Sequence, residues 1–363
     1  MRGGPVLPWL RAQARPIALT GLGAAAVLLA WALVLPAAVP AAGWLVGLVF
    51  WLTVAQGALL LLAIQALTGG GWGATLGPAI EPAALSLPAF LVLVLPLFAA
   101  LPVLYPWAAD PGAAVHADVA RLYLNPQGFV LRALLALGGW SVLALLLGAL
   151  RPGPARAVLG GAGLVFHVAA TVLLSLDWLL SLDARFQSTA FGMAALVTQL
   201  LLALAWAAAL RPEPAGEEGS GRAGDLAAML LAACLGVLYL GFSQYVVAWY
   251  GDLPPKAEWF LLRQGWVWMG LEAVSILLSA GLPIGALLVA QVRRRPAALG
   301  LLGPCVMAGI LAHLAWIVAP PFGLAVLPAA LLGVLAVGGL WVGLTYGVLA
   351  GRLATPREAT HGA

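Results

Sequence analysis

The sequence predicts an all-α integral membrane protein of about ten transmembrane helices, and three observations predict it. Of its 363 residues 63% are hydrophobic and only 8% charged, with a mean hydropathy of +1.05, a composition that excludes a soluble domain. The apolar residues fall in ten runs, each near the ~20 residues that a helix needs to cross the hydrocarbon core. Basic residues are concentrated in every second loop. Backbone polar groups in lipid must pair within their own segment, so the runs are expected as helices.

The first run, 17–39, follows Arg2, Arg11 and Arg15 and precedes Ala37, Ala38 and Ala41, the layout of a cleaved signal. Its apolar stretch is too long for one and nine more follow, so it is expected to stay as a helix. The second, 42–67, carries Gln56 and Gln65 and ends in the glycine-rich run Gly69 to Gly73. No strand precedes that run and no Lys-Ser/Thr follows it, so it predicts a tight turn, not a phosphate loop. The third, 84–104, leaves the membrane through Leu104-Tyr105-Pro106-Trp107, an expected interfacial aromatic belt, as is Trp249-Tyr250. Phe129-Val130-Leu131-Arg132 opens the fourth run, 129–150, and the fifth covers 157–180. The sixth, 188–210, is followed by Arg211 to Gly224, a Pro, Gly, Glu and Ser-rich segment that reads as a flexible linker. The seventh is 225–249. The eighth, 268–291, follows Phe260-Leu261-Leu262-Arg263, which echoes the start of the fourth and suggests four-helix units at 42–180 and 188–318. The ninth covers 298–318. The tenth, 324–350, carries Gly339, Gly343 and Gly347, with Gly351 just beyond, a small-residue face for contact within the bundle or with a partner helix.

With the N-terminus inside, cytoplasmic segments hold 12 of the 17 Lys and Arg, leaving Arg121, Arg132, Arg185, Lys256 and Arg263 outside. That asymmetry, with an even span number, predicts both termini in the cytoplasm. The net charge of +4 is thus a topology signal, and no basic face interleaved with aromatics suggests nucleic acid. Cys234 and Cys305 lie in spans outside any CxxC or CxxCH pattern, so no covalent haem, iron–sulfur or zinc site is expected.

Function is expected where ionisable groups enter the outer half of the spans. His167, Thr171 and Ser175 share one face of the fifth span, with Asp177 beside them nearer the surface. Glu272, Ser275 and Ser279 follow a face of the eighth. Tyr239, Ser243 and Tyr250, with Gln244 adjacent, line the seventh, and His313 lies near the outer end of the ninth. No comparable set lies in the inner halves. Serine and threonine in a span commonly bond the carbonyl one turn back, whereas buried ionisable groups by default face a cavity or pathway. His167 and Asp177 are therefore the expected centre, and Glu272 and His313 its secondary members. Asp183 and Arg185 read as a surface pair.

Phe166-His167, Ser175-Leu176-Asp177-Trp178, Ser181-Leu182-Asp183 and Phe186 to Gly192 resemble the signature of the second quinone-binding-type membrane subunit of alternative complex III. That complex is the bacterial quinol:cytochrome c, or quinol:oxidase, oxidoreductase. Leu67 to Gly73, Leu104 to Trp107, Tyr123-Leu124-Asn125-Pro126 with Arg132, and Phe242 to Tyr245 with Trp249 to Gly251 and Pro254 extend the resemblance over about 200 residues. The resemblance implies the NrfD-like superfamily fold of polysulfide-reductase membrane subunits, two four-helix bundles plus two extra helices, in the bacterial cytoplasmic membrane. It implies partners: an NrfD-like paralogue, a multihaem cytochrome c and an iron–sulfur subunit that carry the haem and clusters. It also implies a subunit inactive alone, since the longer paralogue is credited with quinol oxidation and this type with a proton pathway or secondary quinone site. Leu180 replaces the signature's Met, and the C-terminal tail is short.

A His–carboxylate pair near the outer face serves either use, binding the ring oxygens of a quinol or accepting its protons, with Ser, Thr, Tyr and water as relays. A secondary transporter is the alternative, but it would show broken helices with paired glycines at matching places, and Pro96, Pro283, Pro304 and Pro328 lack that pairing. A structural anchor subunit would need no buried charge.

Overall fold

The computed structural model describes residues 9–10, 12–110, 117–183, 186, 188–210, 218–251 and 254–345. Ten helices in it are long and apolar enough to cross a membrane, and no strand occurs among the described residues. We number them α1 (Ala14–Trp31), α2 (Ala38–Thr68), α3 (Thr75–Ala99), α4 (Pro126–Ala149), α5 (Pro154–Asp183), α6 (Phe191–Ala209), α7 (Ala223–Tyr250), α8 (Trp266–Leu288), α9 (Pro296–Val318) and α10 (Val326–Leu344). The chain is a multi-pass membrane protein whose lipid-facing surface is made by these helices.

Helix α2 is the central post. Its 31 residues are apolar all round, so it has no polar face to present to water and is buried along nearly its whole length. It ends where Gly69 and Gly70 take positive φ of 70° and 101°, the expected turn, before Trp72 starts the next helix. Helices α2 to α5 pack as one bundle and α6 to α9 as a second, with α2, α5, α6 and α9 along the seam; α10 packs on the outside of α2, and α1 packs chiefly against α10.

Glycine sets the spacing of the central helices. The α-carbons of Gly43 and Gly47 on α2 lie against the backbone of Ala329 and Gly333 on α10, and Gly57 lies against the carbonyl of Gln199 on α6. A ring cluster of Trp51, Trp206 and Trp341, with Phe50 and Phe90, then fills the space between α2, α3, α6 and α10. Two of its indoles find acceptors, Trp51 donating to the Val334 carbonyl at 2.9 Å and Trp341 to Ser86 Oγ at 2.6 Å.

Several expectations need correction. The glycine face of α10 is used inside the chain, since Gly339 and Gly343 meet Gly21 and Ala18 of α1, while Gly347 and Gly351 lie outside the described residues. Helix α3 starts at Thr75, nine residues before the predicted start, because Pro78 and Pro82 are accommodated within a helix and do not end it. Glu81 thereby lies inside a span, in the half predicted to be inner. The expected linker is shorter, since Glu218 already begins the helix leading into α7, and 211–217 lie outside the described residues. Tyr105 and Trp107 are buried rather than interfacial, because they donate to the Trp178 and Ser181 carbonyls at 2.9 and 3.1 Å and so satisfy the end of α5. Arg185 of the expected surface pair lies outside the described residues.

Candidate functional site

The predicted residues separate into three groups. The first surrounds His167, which is fully buried on α5 with its Nε2 2.8 Å from Gln199 Oε1 and its ring 5.7 Å from that of Trp140. Gln199 is the only strongly polar side chain in the middle of an otherwise apolar α6. Its Nε2 donates to Gln56 Oε1 of α2 at 2.9 Å and to Thr171 Oγ1 of α5 at 3.2 Å, so one amide ties three helices together. Because Gln199 Oε1 is an acceptor, His167 carries its hydrogen on Nε2 in the neutral ring. Nδ1 is then a bare acceptor, and it has no protein partner.

The second group is an ion pair, and it does not touch His167. Asp177 receives Arg132 Nε at 2.7 Å on one oxygen and Nη2 at 3.1 Å on the other, and the guanidinium also donates to the Tyr123 carbonyl at 3.0 Å. The Tyr123 ring lies 4.0 Å from the guanidinium carbon. Burial first, and the Asp177 charge second, push the Tyr105 phenol well above its ordinary value, so it serves as a neutral donor beside the pair. The expected His167–Asp177 centre is therefore two sites on one helix, since ten residues of α5 separate them and each has its own partner.

The third group lies in the second bundle. His313 Nδ1 of α9 is 3.0 and 3.1 Å from the two carboxylate oxygens of Glu272 on α8, and the imidazole stacks on Trp316 at 5.7 Å and 18°. Both side chains border a half-open cavity of about 780 Å³ lined by α6 to α9 and by the segment around Trp259 and Arg263. Ser275 and Ser279 are in the same wall, where α8 takes a π turn at Leu277–Gly281 and Gly309 of α9 approaches the Ser279 backbone. Arg263 closes the end of α9, donating to the carbonyls of Trp316, Ile317 and Trp259 at 3.2, 2.8 and 2.6 Å with its guanidinium 3.5 Å above the Trp259 ring. Burial lowers its pKa, while the Asp183 and Glu272 charges oppose that shift.

The first and third groups meet at the seam. A cavity of about 90 Å³ is lined by Gln56, Thr171, Ser175, Gln199, Gln244 and His313, so His313 and Gln244 face both cavities. Ser188 donates to Gln244 Oε1 at 2.9 Å, and Ser175 donates to the Val172 carbonyl at 2.8 Å. Three residues of α7 stay outside: Tyr239 is 69% and Tyr250 82% exposed, and Ser243 only bonds the Tyr239 carbonyl at 2.7 Å. They share the outward face of a helix whose inward side presents Gln244.

Gln199 was the residue missed, and the signal available was a single amide in a long apolar run. No group of His, Cys, Asp and Glu suited to a metal occurs among the described residues. Neither a family model nor a curated protein matches the sequence.

Proposed function

We propose that the chain is a membrane subunit of a quinol:cytochrome c, or quinol:oxidase, oxidoreductase of the alternative complex III type, working in the bacterial cytoplasmic membrane. In that complex it supplies a secondary quinone site and a proton path. The observation that carries the reading is the Glu272–His313 pair in the wall of the large cavity. A volume of about 780 Å³ suits a ring with part of its apolar tail, and the walls offer aromatic surface from Phe242, Tyr245, Trp249 and Trp316. The resemblance of the motif blocks, in their order along the chain, supports the family side of the reading.

The pair's chemistry follows from its geometry. Glu272 occupies His313 Nδ1, which leaves Nε2 as the nitrogen able to bond a ring hydroxyl. A proton taken at Nε2 makes an imidazolium that the adjacent carboxylate stabilises, the usual division of labour in a His–carboxylate base. Loss of two electrons from a quinol makes its hydroxyl protons acidic, so a base at this position removes them. Haem and iron–sulfur groups on the partner subunits would receive the electrons. Asp177, held by two bonds from Arg132, fixes the end of α5 to α4 and is a structural charge in this account.

Purification of the tagged chain in mild detergent tests the assignment. Haem-containing and iron–sulfur subunits and an NrfD-like paralogue should accompany it, with quinol-dependent reduction of the haem. Recovery as a monomer with transport activity of its own would overturn it. The breaks in α3 and α8 are what favour a transporter, but they fall on the second helix of one bundle and the third of the other, not at matching places.

A further inference from the structure

We propose that the large cavity is filled sideways from the bilayer, through a slot between α7 and α8, by an amphiphile with an apolar chain and a hydrogen-bonding head. The inference rests on the reading of that cavity as a ligand site, and not on the ligand being a quinol. The slot follows from how α8 is packed. From the π turn at Leu277–Gly281 through Leu288 it meets α7, whereas the 11 residues before the turn, Trp266–Ile276, pack on α9 instead. Side chains at the two edges belong to both surfaces, since Phe242 of α7 and Met269 of α8 line the cavity and are 64% and 60% exposed. The cavity-lining stretch of α7, Leu238 to Trp249, is about 18 Å long, roughly one leaflet of a ~30 Å hydrocarbon core.

A second observation points the same way. The end of the cavity nearest the α7–α8 connection is roofed by rings: Phe260 stands edge-on to Tyr245 at 5.7 Å and to Trp259 at 5.0 Å, and Trp259 meets Trp316 at 5.2 Å. The buried Arg263 ties that roof to the end of α9. An aqueous solute therefore meets aromatic rings, while a molecule dissolved in the leaflet meets the slot. A helix laid over the slot could insert only side chains, whereas a single hydrocarbon chain can follow the walls inward to the buried Ser275 and Ile310. Glu272 and His313 in the same wall offer hydrogen-bond partners to a hydroxyl or amide head, and the apolar remainder suits its chain.

Carbene labelling reads the entry out without quinol. A long-chain alcohol with a diazirine in mid-chain is dissolved in membranes that hold the full chain and the subunits accompanying it, photolysed, and the labelled residues are located by peptide mass spectrometry. Label is expected on Ile310 and Ala280, which line the cavity and are buried from the surrounding lipid. Gly241→Trp and Ala273→Trp narrow the slot from its two edges, where both residues line the cavity from exposed positions and a side chain at Gly241 meets open space. Each indole should cut labelling of Ile310 about tenfold by filling the gap, and leave labelling of the lipid-facing Leu135 on α4 as it was. Ile310 left unlabelled in native membranes, the result also given by a partner helix covering the slot, would overturn the proposal, as would labelling that neither tryptophan lowers. Loss of quinol turnover with Ile310 still labelled would sink the quinol reading and leave this one standing.

Discussion

Removing the Asp177 charge should damage the fold more than the chemistry. Asp177→Asn keeps the side-chain volume but leaves the Arg132 guanidinium facing an amide that offers it one acceptor in place of two. Breaking one partner out of a buried pair costs about 3–5 kcal/mol, and the 18% exposure of Arg132 places this case near the lower bound. About 3 kcal/mol is roughly a 150-fold change in the folded-to-unfolded ratio at 1.4 kcal/mol per tenfold. Equilibrium unfolding in lipid bicelles by SDS titration measures it directly. The pair Arg132→Met with Asp177→Leu removes both charges and should recover most of the loss. An Asn variant within about 0.5 kcal/mol of the native chain, or a double variant no more stable than the single one, would refute the assignment of Asp177 as a structural charge.

Gly57→Ala places a methyl against the Gln199 carbonyl, so α2 and α6 must part; it should cost about 1–3 kcal/mol and shift the His167 ring signals, whereas Gly138→Ala, which points into open space, should do neither. Gly339→Leu meets the Gly21 backbone and should lower the SDS midpoint by separating α1 from α10, while Gly23→Leu on the same first helix should leave it in place. His313→Gln should keep the fold and abolish quinol-dependent proton release, because the amide retains a donor to Glu272 but has no basic nitrogen for the proton; release at the native rate would place the base elsewhere.

The ten spans were legible because length and hydropathy alone decide them, and the Gly69 turn because positive φ selects glycine. The start of α3 was hidden by Pro78, Glu81 and Pro82, residues that resemble a loop until neighbouring helices accommodate them. Helical periodicity placed His167, Thr171 and Ser175 on one face, but it says nothing of which helix that face meets. Hence Gln199, 32 residues from His167, and Arg132, 45 from Asp177, became partners only in the packed bundle. The same limit turned Tyr239 and Tyr250 outward, since a polar stripe on α7 and its rotation in the bundle are separate facts. Tyr105 and Trp107 looked like an interfacial belt because an aromatic that caps carbonyls of another helix has the same local sequence as one in the headgroup layer.

In the proposed function the Glu272–His313 pair in the large cavity takes protons from quinol. Glu272→Gln tests it most directly, because the substitution keeps the volume and an acceptor for His313 while removing the charge that stabilises the imidazolium. In the purified complex reconstituted into vesicles, quinol-dependent proton release should fall by about a hundredfold while the haem content and subunit composition stay native. Release at the native rate in a fully assembled Glu272→Gln complex would place the base elsewhere.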